Sequence, residues 1–402
     1  MHNLLTTLLL SLSLTAAVYY LCAIFSACDL FSKRTSKPSS FLPPISILKS
    51  IRGVDYDSYE TLASFCRQDY PVYQILFGVH EPQDPGVGVV QRLIRDFPGL
   101  DIRLVHCDQV SGTNPKVSNL IQMEIQARYP ILLVSDSDIY VEPDCLRQVV
   151  GPLRDPSVGA VTCMSRSRTK GFASVIEGLR ISTEFCAGVL VARKLGGIKF
   201  GLGSAMALRR EALGAIGGFA AIGDYLADDF QLGYLIAKAG YQVRLSPYVV
   251  EHRFSRIGLG DMVRRQIRWA RGIRISRPLS YAGLLLTQGV PMSLFFLMSR
   301  AFASIGWAVL GLTWATRLAM AGIVGAIYLN DPAAKKFLWL VPLQDLISFT
   351  VWCACFFGDT VEWRGERFRL TPAGKLIPLN VKLSVAYLQE TVSLPKEKVV
   401  MG

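Results

Sequence analysis

The most constraining feature of this sequence is an uncharged run of 24 residues, 4–27 (LLTTLLLSLSLTAAVYYLCAIFSA). As a helix rising 1.5 Å per residue it is about 36 Å long, enough to cross the hydrocarbon layer of a bilayer. Three further apolar stretches lie toward the other end: 281–299, 302–329 (interrupted only by Arg317) and 337–358 (interrupted only by Asp345). Between them, residues 45–256 have the composition of a soluble domain. The expected organisation is an anchor (1–28), a polar linker (29–44), a globular domain (45–256), a basic interfacial helix (257–280), membrane segments (281–358) and a basic tail (359–402).

A cleaved signal peptide would carry a basic n-region and a shorter apolar core, so the first run is expected to be a retained anchor. Lys33, Arg34 and Lys37 follow it and no Lys or Arg precedes it, which places the globular domain in the cytosol. One entry span plus three exit spans would leave the tail outside, whereas Arg364, Arg367, Arg369 and Lys375 argue for inside. A Pro291-containing 281–299 segment that dips without crossing would reconcile the two.

The formal net charge is +12, but no nucleic-acid-binding signature accompanies it. Many arginines and lysines flank the apolar runs, where anionic headgroups attract them, so the expected partner is the bilayer and not a nucleic acid. The nine cysteines form no CxxC pair and the four histidines are dispersed, which gives no zinc spacing.

Within the domain, strand and helix patterns alternate: ISIL (45–48), YETLASFCRQ (59–68), VYQILFGV (72–79), VGVVQRLIRDF (87–97), DIRLVHC (101–107), KVSNLIQMEIQAR (116–128) and ILLVS (131–135). Such alternation predicts an α/β domain, a mostly parallel sheet wrapped by helices, with its ligand at the carboxyl ends of the strands. VGAVTCM (158–164) and YQVRLSP (241–247) read as further strands, and ADDFQLGYLIAKAG (227–240) as a helix capped by Gly240.

Four stretches carry candidate chemistry, each with a structural alternative. Asp136 and Asp138 of SDSD follow the fourth strand; in an extended segment both would face one side and suit Mg²⁺ or Mn²⁺. They could equally belong to a turn and helix cap. Asp228-Asp229 could complement a helix dipole or supply a general base. Arg265, Arg268 and Trp269 share a helical face, suited either to an interfacial helix or to a diphosphate and an acceptor. Asn114 and Lys116 of GTNPKVSNL open a helix, as a phosphate cradle or as a simple helix start.

In order, G-x-N-x-K-x-x-N-L, D-x-D at a strand end, an acidic pair and R-x-x-R-W before apolar spans resemble the ceramide glucosyltransferase-like family. SFCRQDYPVYQILFGV, SDSDIYVEPDCLRQVV, AGVLVARKLGGIKFGLGSAMALRREALGAIGGF and DYLADDFQLG resemble most its bacterial hopanoid-biosynthesis branch. That resemblance implies an inverting glycosyltransferase of GT-A fold in the bacterial inner membrane. It would use a divalent metal (Mg²⁺ or Mn²⁺) and a UDP-sugar to glycosylate a lipid: bacteriohopanetetrol, or ceramide as the alternative. It also implies nucleotide binding at Asp101 and Asp136, a metal pair at Asp136 and Asp138, Asp229 as general base, and Arg265, Arg268 and Trp269 as the R-x-x-R-W motif. A processive polysaccharide synthase and an inactive membrane scaffold are the remaining alternatives.

Overall fold

The computed structural model describes residues 2–32, 40–54, 57–363 and 365–379. Lys33, Arg34, Lys37, Arg364 and the end of the tail lie outside the described residues.

The alternating segments form β1 (Ile45–Ile51), α2 (Ser58–Cys66), β2 (Tyr73–Val79), α3 (Gly86–Asp96), β3 (Asp101–His106), α4 (Pro115–Gln126) and β4 (Ile131–Ser135), preceded by α1 (His2–Ser32). Then come β5 (Ile139–Tyr140), α5 (Cys145–Val150), β6 (Val158–Arg168), α6 (Phe172–Arg180), a π-helical turn Ile181–Phe185 and α7 (Cys186–Gly196). β7 (Ala205–Arg209), α8 (Arg210–Ala215), α9 (Asp228–Lys238), β8 (Gln242–Arg253) and α10 (Leu259–Ser276) complete the domain.

The eight strands make one sheet in the order β3-β2-β1-β4-β7-β6-β8-β5. β1, β2, β3 and β4 are mutually parallel, as expected, but β7 runs antiparallel to both β4 and β6, so the sheet is mixed. Strand alternation separates two cores. Ile47, Ile75 and Leu133 face one cluster, whereas Leu48, Leu76 and Leu132 face the other. The chain leaves β3 at one edge and returns to β4 on the far side of β1, which makes the β1/β4 junction the switch point where open sheets bind ligands.

α1 is longer than a crossing of a bilayer needs. Its 31 residues extend about 46 Å, some 16 Å beyond a ~30 Å hydrocarbon layer. The surplus joins the domain: Ala23, Ala27 and Leu30 are in its core, and Asp29 pairs with Arg193 of α7 at 2.9 Å. After α11 (Pro278–Gly283), α12 (Gly289–Ser299) and α13 (Ser304–Met320) form a hairpin whose tip holds Ala301 and Phe302 at positive φ. Leu9 of α1 packs there with Met292, Phe296 and Val309.

Both ends of this hairpin return to the domain. Arg277 lies 3.3 Å from the Phe230 ring centroid, and Tyr328 stacks on Phe31 at 5.0 Å. The same is true of the next apolar stretch, α14 (Pro332–Phe337) with α15 (Val341–Ala354). Before it, Asp331 accepts from the Ser167 amide at 2.8 Å. After it, Arg274 donates to the carbonyl of Gly358 at 2.5 Å. The tail then folds as β9 (Thr360–Trp363), β10 (Glu366–Leu370) and β11 (Leu376–Pro378), which pack on Leu226 and Ile275.

Candidate active site

The site is built from the carboxyl ends of β1 and β4. β1 reads ISILKSI, an apolar strand with one lysine. Lys49 is fully buried: its ammonium donates to the Asp136 carbonyl at 2.7 Å and to Ser135 Oγ at 3.3 Å, and lies 3.7 Å from the Phe65 ring centroid. Burial lowers its pKa to about 7. Ser135 Oγ in turn donates to the Ser204 carbonyl at 2.9 Å. Because β7 is antiparallel to β4, Ser135 faces Ala205, which brings the loop Gly201–Ser204 to the same strand tip.

SDSD does not continue as an extended segment. The chain turns after Ser135, and the two acids have different partners. Asp136 Oδ1 lies 2.7 Å from Lys116 Nζ, whereas Asp138 Oδ2 lies 2.9 Å from His252 Nε2. Burial opposes ionisation of Asp138, but His252 beside it holds the carboxyl down at about 2. For His252, burial acts against protonation and Asp138 outweighs it, so its pKa is raised.

Lys116 bridges to a second acid, Asp228 Oδ2, at 3.0 Å. Desolvation disfavours its charge, yet Asp136, Asp228 and Asp229 together raise its pKa and keep it protonated. Asn114 opens the helix that carries this lysine. It is fully buried; its Oδ1 caps α4 by accepting from the amides of Lys116 and Val117, and its Nδ2 donates to the Tyr225 carbonyl at 2.9 Å.

Asp229 stands in the first turn of α9, where Oδ1 accepts from the Phe230 amide at 2.7 Å. Its Oδ2 faces Gly203. A Cβ there would lie 2.9 Å from Asp229 Oδ2 and 3.3 Å from Asp136 Oδ2, so the two carboxylates converge across a position that only glycine leaves open. Burial, then the Asp228 charge, raises the Asp229 pKa to about 6 against the pull of Lys116.

Beside this cluster lies an open, shallow cleft lined among others by Arg52, Gly53, Asp57, Asp138, Lys170 and Arg253. Lys49, His252, Lys170 and Arg253 were not among the residues singled out by motif. The signal for Lys49 was present, a lone lysine inside an apolar strand; for His252 there was none, since its role depends on β8 closing beside β5.

The R-x-x-R-W residues sit on α10 but touch different elements. Arg265 lies 5.5 Å from the Phe254 ring and Arg268 5.7 Å from the Trp363 ring, while Trp269 is packed under Arg180 at 4.7 Å. Gln266 between them is buried and donates to Glu177 Oε2 at 2.8 Å. Asp101 is not brought to the site. It begins β3, opposite Gln74 at the start of β2, and pairs with Arg103 at 3.1 Å and with Arg128. That is the amino end of a parallel strand set whose carboxyl end holds Asp136.

Among the described residues no group of three metal-ligating side chains occurs. Asp136 and Asp138 each have one oxygen engaged and one left, and Mg²⁺ or Mn²⁺ takes one or two carboxylates and completes its shell with phosphates and water. Each carboxylate would therefore offer one oxygen to such an ion beside a diphosphate.

The mixed α/β sheet with acids gathered at its switch point is the fold of GT-A glycosyltransferases of known structure. The chain belongs to Glycosyl transferase family 21, which it matches over residues 8–376. Ceramide glucosyltransferase 1 of Caenorhabditis elegans is 25% identical over 374 residues, covering 90% of this chain and 78% of that protein. Ceramide glucosyltransferase of Komagataella phaffii is 32% identical over 157 residues, 35% of this chain and 30% of that one. Among solved structures, the mannosyltransferase PcManGT from Pyrobaculum calidifontis, in complex with GDP-Man and Mn²⁺, shares the fold. Its TM-score is 0.56 at 19% identity, covering 89% of this chain and 99% of that chain.

Proposed function

We propose that this glycosyltransferase moves a hexose from a UDP-sugar to the hydroxyl of a membrane lipid with inversion at the anomeric carbon, on the cytosolic face of a bacterial inner membrane. One observation carries the reading. Asp228 is neutralised by Lys116, while the neighbouring Asp229 keeps an oxygen directed at the open position beside Asp136.

Asp229, with its pKa near 6, accepts the proton of the lipid hydroxyl as that oxygen attacks the anomeric carbon opposite UDP. Lys116 keeps the acids in register and stays charged beside the departing diphosphate. Arg265, whose charge reaches Asp138 and His252, spreads the developing negative charge further. A divalent metal held by Asp136 and Asp138 supplies neutralisation of the diphosphate when bound. Trp269 and Gln266 act through α6, fixing α10 against the domain. Asp101, at the amino end of β3 and paired with Arg103 and Arg128, is given no step in this reaction.

Among the described residues three helices are long and apolar enough to cross a bilayer, and a bent pair, 278–287 with 289–299, could make a fourth. Since α14 and α15 start and end on the catalytic domain, we assign the embedded part to α1 and the α12–α13 hairpin. The tail then stays with the domain. Ceramide is the acceptor in the relatives' names; the stretches quoted above favour bacteriohopanetetrol. The test is to incubate the purified chain with UDP-glucose or UDP-N-acetylglucosamine, Mg²⁺ or Mn²⁺, and each lipid. A single-sugar glycolipid from one acceptor supports the proposal; polymer from the sugar alone, or no product from either lipid, contradicts it.

A further inference from the structure

Lys49 takes no part in the reaction proposed above, yet its place in β1 is a costly one. By alternation it shares the strand face of Ile45, Ile47 and Ile51, all core residues, and it is fully buried. Burying a charged side chain is unfavourable unless its partners offset the lost hydration. Here Nζ bonds to a hydroxyl and a carbonyl, not to a carboxylate, and its remaining side faces the Phe65 ring at 3.7 Å from the centroid. An apolar side chain of equal length would suit the core as well or better. A residue kept against such a local rule marks a position that function holds in place.

The two bonds reach both walls of the site. One goes to the Asp136 carbonyl at 2.7 Å, inside the turn that sends the Asp136 carboxylate to Lys116. The other goes to Ser135 Oγ at 3.3 Å, and that hydroxyl donates onward to the Ser204 carbonyl at 2.9 Å. Ser204 ends the loop 201–204, which is closely fitted to Asp229. A Cβ on Gly201 would lie 2.5 Å from the Asp229 carbonyl oxygen, and one on Gly203 would lie 2.9 Å from Asp229 Oδ2. Between them the Leu202 amide donates to Thr162 Oγ1 of β6 at 2.8 Å. One buried amine therefore ties the strand end that carries Asp136 to the loop against which Asp229 stands.

We propose that Lys49 is a positioning residue: its two hydrogen bonds hold the Asp136 turn and the Gly203 loop in the register in which Asp136 and Asp229 converge, a role in catalysis that rests on the reading of those acids given above. The test compares two variants of the full chain in detergent micelles. Lys49→Met keeps the length of the side chain and removes its donors; Ser135→Ala cuts the branch to the loop. Lys49→Met is expected to melt no lower than wild type, since an apolar side chain replaces a buried amine. It should lower kcat ~10²-fold, the scale of a misplacement of about 1 Å, and raise the UDP-sugar KM severalfold while the lipid KM stays. Ser135→Ala should do the same to a smaller extent. Loss of active protein would lower kcat and leave every KM, so the donor KM separates positioning from destabilisation. Amide hydrogen exchange of the chain alone, mapped by peptides, should quicken over 135–138 and 201–204 and stay as in wild type over β2 and β3. Wild-type kcat in Lys49→Met overturns the role, as does a kcat loss in both variants that comes with a lowered melting temperature and an unchanged UDP-sugar KM. If Lys49→Met does not fold, Ser135→Ala decides by the donor KM and the exchange over 201–204. Faster exchange over the two segments in a protein that transfers no sugar keeps Lys49 as the brace between them and refutes the proposed reaction. Sugar transfer at the wild-type rate in both variants does the reverse.

Discussion

Asp228 and Asp229 are neighbours in sequence with opposite placements. The first ends on Lys116 at 3.0 Å; the second keeps Oδ2 toward Gly203. Asp229→Asn is therefore expected to lower turnover by ~10²–10⁴-fold, the usual contribution of a general base, while UDP-sugar binding by calorimetry is retained. The sign of the pH dependence follows from its raised pKa. The base works deprotonated, so kcat should fall as pH drops through about 6 and level off above it, and this acid limb should vanish in the asparagine variant. Gly203→Ala puts a methyl group 2.9 Å from Asp229 Oδ2 and 3.3 Å from Asp136 Oδ2. It should reduce kcat with little change in melting temperature, because the position packs against the site and not the core. An alanine variant with wild-type kcat would show that the two acids do not meet there.

At the scale of elements, the alternating pattern up to Ser135 was legible because buried parallel strands and amphipathic helices leave different apolar periods. The direction of β7 was not, since hydrophobic pattern is the same for either direction, and it is β7 that carries Gly203 to the site. The metal-pair spacing of Asp136 and Asp138 assumed an extended backbone, whereas a turn sends them to Lys116 and His252. Asp101 matched a motif position but lies at the amino end of its strand, a distinction that requires strand order. The tail read only as basic, yet the Leu376 amide donates to the Asp224 carbonyl at 2.8 Å, and the Thr113 amide donates to Asp224 Oδ1 at 3.1 Å. Truncation after Gly358 should loosen the loop leading into Asp228-Asp229 and lower kcat more than it weakens donor binding. Glu177→Leu should strand the buried Gln266 amide and cost about 1–3 kcal/mol, read as a loss in chemical denaturation.

For the whole molecule, apolar length alone allows three crossings among the described residues, or four with the bent pair. α14 and α15 together could span a bilayer, but Asp331 at one end and Phe356 and Gly358 at the other bond to the catalytic domain. A reporter fused after Gly402 should therefore read on the same side as one inserted in the catalytic domain. Opposite sides would contradict the hairpin arrangement. In the proposed reaction a lipid hydroxyl deprotonated by Asp229 displaces UDP from the opposite face, which inverts the anomeric centre. The most direct measurement is the anomeric configuration, by proton NMR, of the glycolipid made by the full chain from an α-linked UDP-sugar. A β-linked product that Asp229→Asn fails to make is the predicted result; an α-linked product, or a β-linked product formed equally by the variant, would contradict it.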